Sequence, residues 1–290
     1  MTIEFNDITT AQKQNYLQCA VAPRPIAFAS TINEHGEVNL SPFSFFNVFS
    51  SQPPIVIFSP ARRGRDNTTK HTLQNVIAVP EVVINIVDYN MVQQMSLSSC
   101  EYPAGVNEFE KAGFTALPSL HIKPPRVAES NIQMECKVLE VKSMGNQGGA
   151  GQLVIAEVIT MHINDAILNT DNTIDQTKTN HIARLGGDWY CKVDSTNMFT
   201  VAKPNTQLGI GVNALPQSIR HSTILTGNNL GQLANVTTLP QIDANFNDKR
   251  LKQIVQYYSI NPTEMEMEIH TYAKQLLDNN DVTTAWQVLL

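Results

Sequence analysis

A mainly β unit followed by a helical extension is the fold class predicted by three features of this 290-residue chain. Short strand-like segments at Ile26–Ile32, Val38–Leu40 and Ile55–Phe58 are separated by a polar turn and a Pro-Pro break. Ile132–Met144 and Leu153–Ile163 read as a long hairpin across a glycine-rich link. The composition then changes near Val193, after which the longer segments are helical. These features divide the chain into residues 1–193 and a mostly helical extension over 194–290, expected to pack on the β unit.

Taken in order, Thr2–Gln18 is weakly patterned, with a short helix predicted over Thr10–Leu17. Asn33-Glu-His-Gly36 is a turn in which Gly36 is free to take positive φ, so the first two strands form a hairpin. Ser44–Phe49 mixes polar and aromatic residues, and Pro53-Pro54 leads into the buried-strand candidate Ile55–Phe58. A helix is predicted over Thr68–Ala78, capped by Asp66, Thr68 or Thr69, with free amides at its start. Val82–Val87 is a strand and Tyr89–Ser99 a helix whose methionines fill core space. Asn107–Gly113 is one or two helical turns ended by Gly113. Gly148-Gly-Ala-Gly151 joins two strands and lacks a following Lys-Ser/Thr pair, so it is a turn and not a nucleotide-phosphate loop. Asn164–Asn180 is polar and turn-rich, and His181–Tyr190 is a second cluster of cationic, glycine and aromatic residues. Helices are predicted over Pro216–Leu225, Asn245–Tyr258, Thr263–Asn279 and Val282–Leu290.

Composition narrows the function classes. The net charge of −6, with 16% charged residues, gives no reason to expect a nucleic-acid partner. With 42% hydrophobic residues the chain can fill a core. No apolar run reaches membrane-spanning length, and Met1–Ala11 lacks a basic region followed by an apolar one, so a cytoplasmic protein is the expectation. Cys19, Cys100, Cys136 and Cys191 form no Cys-x-x-Cys pair and read as small buried residues.

No assembled catalytic signature is present: no His-Glu-x-x-His, no Gly-x-Ser-x-Gly and no Walker loop. His121, His162 and His270 lack neighbours that would make a metal cluster, and Glu264, Glu266 and Glu268 do not share one helix face. Neither a catalytic side chain nor a metal ligand is therefore assigned. Arg62, Arg63, Arg65 and Lys70 are different, because Thr68, Thr69 and Thr72 stand beside them. Cations and hydroxyls together suit a phosphate. Phe43, Phe45 and Phe46 with Asn47 offer an apolar wall and an amide for a planar heterocycle.

These stretches resemble the flavin reductase-like proteins of the FMN-binding split-barrel family. The resemblance rests on Arg24–Thr31, Val38–Asn47, Pro54–Ser59, Asp66–Asn75, Val82–Ile86 and Asn107–Gly113, continuing through Pro124–Ser130, Glu135-Cys136, Arg184–Gly187 and Tyr190. It implies a Greek-key-like β-barrel with peripheral helices, usually a homodimer with FMN near the subunit interface. Carried onto this chain, it implies that Ser30 and Thr31 meet the ribityl or phosphate portion, and that Ser44, Phe46 and Asn47 follow the isoalloxazine ring. Lys70 and Thr72 match a phosphate-side Lys-x-Thr element, with Arg62 in the cationic loop before it. His181 and Arg184 lie in the terminal piece that approaches the flavin. The activity implied is hydride transfer from NADH or NADPH to FMN. The alternatives are an FMN electron carrier serving a redox partner, and an FMN enzyme acting on another small organic substrate. After Val193 only the longer members are similar, through Gly211–Pro216 and Leu225–Gly231.

Overall fold

The structure, a computed structural model, describes residues 1–204 and 207–290. It divides into two compact units, Met1–Phe199 and Thr200–Leu290.

The first unit opens with helix α1 (Thr10–Ala20), which Thr9 and Gln12 start with a reciprocal capping box. Strands β1 (Ala27–Ile32), β2 (Val38–Phe43), β3 (Phe46–Ser51) and β4 (Pro54–Phe58) follow, then helix α2 (His71–Ala78) and strand β5 (Glu81–Ile86). Helices α3 (Val92–Leu97) and α4 (Glu108–Ala112) precede the short strands β6 (Ala116–Leu117) and β7 (Arg126–Val127). The long strands β8 (Ile132–Ser143) and β9 (Gln152–Ile163) form the predicted hairpin, and β10 (Ile182–Arg184) pairs with β11 (Tyr190–Lys192).

Seven strands make one antiparallel sheet in the order β2-β1-β5-β8-β9-β4-β3. Its two edge strands are consecutive in sequence, joined only through Ser44 and Phe45. The sheet must therefore curl until its first and last strands meet at that corner, as in a split barrel. Every residue of β1 is buried, because both its faces are covered. Ala27 and Ala29 pack inward with Phe43, Phe58, Ile84 and Met134, and α2 closes this core with Leu73 and Val76. Phe28 lies on the opposite face with Leu40, Met91, Met95 and Phe109. The methionines are core filler, as predicted.

Several expectations are corrected. Phe46–Ser51, to which the sequence reading assigns no element, is an edge strand; with Val48 and Phe49 exposed, it lacks the apolar alternation of a covered strand. Helix α2 begins at His71, with Lys70 at its N-cap and no side-chain cap. The Asp66 carboxylate instead accepts from the amide and hydroxyl of Thr68, ordering the preceding loop. Only Cys136 of the four cysteines is buried; Cys19 and Cys100 are exposed, and all four are free.

The second unit contains α5 (Gln217–Arg220), α6 (Gly227–Ala234), α7 (Lys249–Tyr257), α8 (Pro262–Asp278) and α9 (Val282–Leu289). Thr226, Asp248, Asn261 and Asp281 cap the last four, and Trp286, Leu277, Leu233 and Ile219 fill its core. Sequence reasoning misses α6 and overextends α5. Among the described residues no helix is long and apolar enough to cross a membrane.

Candidate functional site

The loop from β4 to α2 carries the predicted cationic cluster, and its own side chains fold it. Arg62 Nε donates to Asn67 Oδ1 at 2.6 Å, and Asn67 takes a left-handed conformation with φ 58°. Arg63 donates to Thr68 Oγ1 at 2.9 Å and to the Thr69 carbonyl at 2.7 Å. Glu101 pairs with both Arg63 and Arg65 from the segment after α3. Thr68, through its hydroxyl and then its amide, holds the Asp66 carboxyl down at about 2.

The glycine-rich turn between β8 and β9 braces this loop from the other side. Arg62 N donates to the Ala150 carbonyl at 2.9 Å, Gly149 N to the Arg62 carbonyl at 3.0 Å, and Asn67 Nδ2 to the Asn146 carbonyl at 2.9 Å. A Cβ on Gly148 would lie 3.0 Å from the Gly64 carbonyl oxygen and 3.1 Å from that of Arg63, so glycine allows the approach. The turn thereby positions the cationic loop.

Lys70 is half-buried and has no ion-pair partner among the described residues. Burial, and then Arg63, push its ammonium below the usual lysine range. The next turn of backbone is tied down beneath it. Thr72 Oγ1 donates to Asn39 Oδ1 at 2.6 Å, Asn39 Nδ2 donates to Glu108 Oε1 at 2.9 Å, and Asn75 Nδ2 donates to Thr31 Oγ1 at 3.1 Å. Burial raises the Glu108 carboxyl, and bonds from Leu40 N and Asn39 oppose it.

A cleft of ≈ 630 Å³ opens over this loop, within the ~300–1,000 Å³ range of small-molecule sites. It is lined by α1, through Lys13, Gln14 and Leu17, by the β2–β3 corner, Ser41–Phe45, and by Arg62, Arg63 and Lys70 with Glu101. A smaller recess of ≈ 240 Å³ shares Gln18, Pro42, Ser44 and Ser99 with the cleft and adds Arg24, Arg184 and Tyr190. Arg24 fixes α1 beside the recess by donating to the carbonyls of Gln18, Val21 and Leu185. Gly186 allows the same approach, since a Cβ there would lie 2.2 Å from Cys19 Sγ.

The structure thus brings Ser44, Arg62 and Lys70 to one cleft, with Arg184 in the adjoining recess. It does not bring the other predicted residues there. Ser30, Thr31 and Thr72 are buried, and the Ser30 hydroxyl has no partner. Phe46 packs against the barrel core, while Asn47 is exposed on β3 and accepts from Val48 N at 2.8 Å. His181 is half-buried in a backbone bridge with Asp88; burial lowers its imidazole and Asp88 opposes that. The α1 wall and Glu101 are missed by sequence reasoning. The polar, weakly patterned helix buries none of its own residues, so it carries no amphipathic signal.

Residues 20–178 match the family model described as "Flavin reductase like domain". An uncharacterised protein of Halalkalibacterium halodurans is 36% identical over 206 residues, covering 70% of this chain and 97% of that protein. Nitrilotriacetate monooxygenase component B from Bacillus cereus superposes with a TM-score of 0.65 at 28% identity, covering 69% of this chain and 98% of its own. The Pseudomonas fluorescens 2-nitrobenzoate 2-nitroreductase NbaA gives a TM-score of 0.64 at 26% identity, covering 73% and 100%.

Proposed function

Since this chain belongs to the flavin reductase-like family, we propose that it is an FMN-dependent oxidoreductase taking hydride from NADH or NADPH. The observation that carries the proposal is the cleft lined together by an unpaired, half-buried Lys70, the braced Arg62 loop, and Ser44 with Phe43 and Phe45. That donor set fits a phosphate joined to a planar ring. Lys70 and the Arg62 loop hold the phosphate, and Leu17, Phe43 and Phe45 keep water from the ring. Thr31 and Thr72 act from beneath, by anchoring the start of α2 under Lys70. Bound FMN supplies a ring that accepts and returns hydride. Transfer from a nicotinamide needs alignment rather than a side-chain acid or base, which agrees with the absence of a catalytic dyad from the sequence.

The homodimer is part of the same proposal. Strand β3 is a sheet edge with Val48 67% and Phe49 63% exposed, an apolar strip that a second copy would cover. Phe46 and Asn47 on that strand then adjoin the subunit boundary. Light scattering on the eluting protein should give twice the chain mass; a monomer at micromolar concentration would remove the dimer from the proposal.

The test of function is the visible spectrum of the purified protein, reconstituted with FMN if colourless and titrated anaerobically with NADH and then NADPH. Rapid bleaching of bound flavin by either nucleotide is the expected result. A flavin band untouched by both rejects the reductase activity, and no retained flavin rejects the cofactor. Gly148→Ala, whose Cβ would press on the Arg63 and Gly64 carbonyls, should weaken FMN binding by less than loss of Lys70 does. Unchanged FMN affinity in that variant would mean the brace does not position the phosphate site.

A second reading, an FMN enzyme reducing a small organic acceptor, is favoured by the recess beside Ser44 and by the activity that NbaA's name states for that protein.

A further inference from the structure

We propose that the recess between Arg24 and Arg184 is a carboxylate-binding subsite that holds a small organic acid as second substrate next to the flavin. The inference rests on the flavin reading, because it assigns what lies beyond Ser44 in the same cleft system.

Two arginines line this recess, and among the described residues neither has a carboxylate within ion-pair distance. Arg24 is only 6% exposed, and its Nε–H is buried without a partner. Its other donors go to the carbonyls at the end of α1 and to Leu185, so its charge meets partial negative charge and no anion. Arg184 stacks on Tyr190, 4.5 Å from ring centroid to guanidinium carbon, and donates to the Tyr190 hydroxyl and to the Gly187 carbonyl at 2.6 Å. Those two bonds leave three of its five N–H groups without a protein acceptor. The ring contact and these two bonds hold the guanidinium in place, with N–H groups left to donate to a carboxylate. The two like charges also disfavour each other: after burial, Arg184 is the next cause lowering Arg24. An anion between them would relieve that repulsion.

The recess of ≈ 240 Å³ opens into the larger cleft through Gln18, Pro42, Ser44 and Ser99, and its own volume accommodates a carboxylate on a small ring or chain. Ser44 and Ser96 add hydroxyls to its lining. The dianionic phosphate of the cofactor already has the Lys70 end of the cleft, which leaves the Arg184 end for a different anion.

Sodium benzoate is the probe, titrated calorimetrically into the purified full-length protein. Calorimetry reads the recess whether or not flavin is held, and the visible spectrum of the same sample reports flavin separately, so the two proposals fail independently. The expected result is saturable benzoate binding that weakens about tenfold or more in Arg184→Gln and is partly restored in Arg184→Lys. Lys142→Gln, which removes one positive charge on β8, should leave it unchanged. Circular dichroism confirms that each variant is folded; if Arg184→Gln is not, Arg184→Lys against the native protein still carries the comparison. Absent benzoate binding, binding indifferent to Arg184, or Arg184-dependent binding of inorganic phosphate in preference to benzoate would each overturn the carboxylate assignment.

Discussion

Lys70→Ala is expected to weaken FMN binding by about 1–3 kcal/mol, the cost of losing a charge-assisted bond to phosphate. The lysine sits half-buried at the N-cap of α2 with its charge disfavoured by burial and by Arg63; Glu101 and Asp66 offset this in part, but neither forms an ion pair with it. A site arranged in this way gains most when a dianion enters. Arg62 and Arg63 cannot substitute freely, because their guanidiniums are engaged in holding the loop. Quenching of FMN fluorescence on titration with protein measures the change. Lys142→Ala should leave the affinity almost unaltered. Equal affinities for wild type and Lys70→Ala would move the phosphate to another part of the chain.

Glu135→Ala is expected to destabilise the first unit by about 3–5 kcal/mol, as removal of one member of a buried, bonded ionic group does. The Glu135 carboxylate, on β8, is fully buried and accepts from Leu120 N at 2.7 Å, His121 N at 2.8 Å and His162 Nε2 at 2.8 Å. Alanine would leave those backbone donors inside the protein without acceptors. The pH dependence has a definite sign. Burial alone pushes the carboxyl up, but the bonds from Leu120, His162 and His121 outweigh it and hold the folded value below the usual range. Its stabilisation is therefore complete above the unfolded value of about 4.3 and is lost as pH falls through the depressed folded value. Urea titrations at pH 7 and below pH 4 should show the gap between wild type and Glu135→Ala narrowing on acidification. A gap that is small at pH 7, or that widens in acid, would contradict this account.

Much of the barrel was legible because its strands obey simple periodicities and its breaks are marked by proline and glycine. Ile55–Phe58 and the β8–β9 hairpin are examples, and Gly113 ends α4 in the left-handed conformation its position implies. Strand β3 was not legible, since an edge strand facing outward lacks apolar alternation. The cationic loop could be read from residue types alone, but not which of its cations are occupied. Arg62 and Arg63 looked like ligands for an anion, and the structure spends them on the loop itself, leaving Lys70 as the cation without a protein partner. The resemblance implies direct contacts for Thr31 and Thr72; in the structure both are buried, with their hydroxyls bonded to Asn75 and Asn39. Whether a hydroxyl on a strand end faces a ligand or a neighbouring helix depends on where that helix packs, and no local pattern encodes this. The α1 wall is held by Arg24 bonds to carbonyls, which any residue supplies.

The pairing of β4 with β9 has a consequence for biosynthesis. Ile55 lies opposite Glu157 and Phe58 opposite Val154, so the strand that launches the cationic loop has one of its two neighbours far downstream. Closing so long a chain segment must precede the reward of the contact, which makes this pairing late and slow. On the ribosome, β1 to β5 can emerge and associate while the Arg62–Lys70 loop still lacks both its sheet support and the glycine turn that braces it. Chains released before Ile163 would then carry most of the apolar barrel with an open sheet edge and no formed cleft, the species most exposed to aggregation.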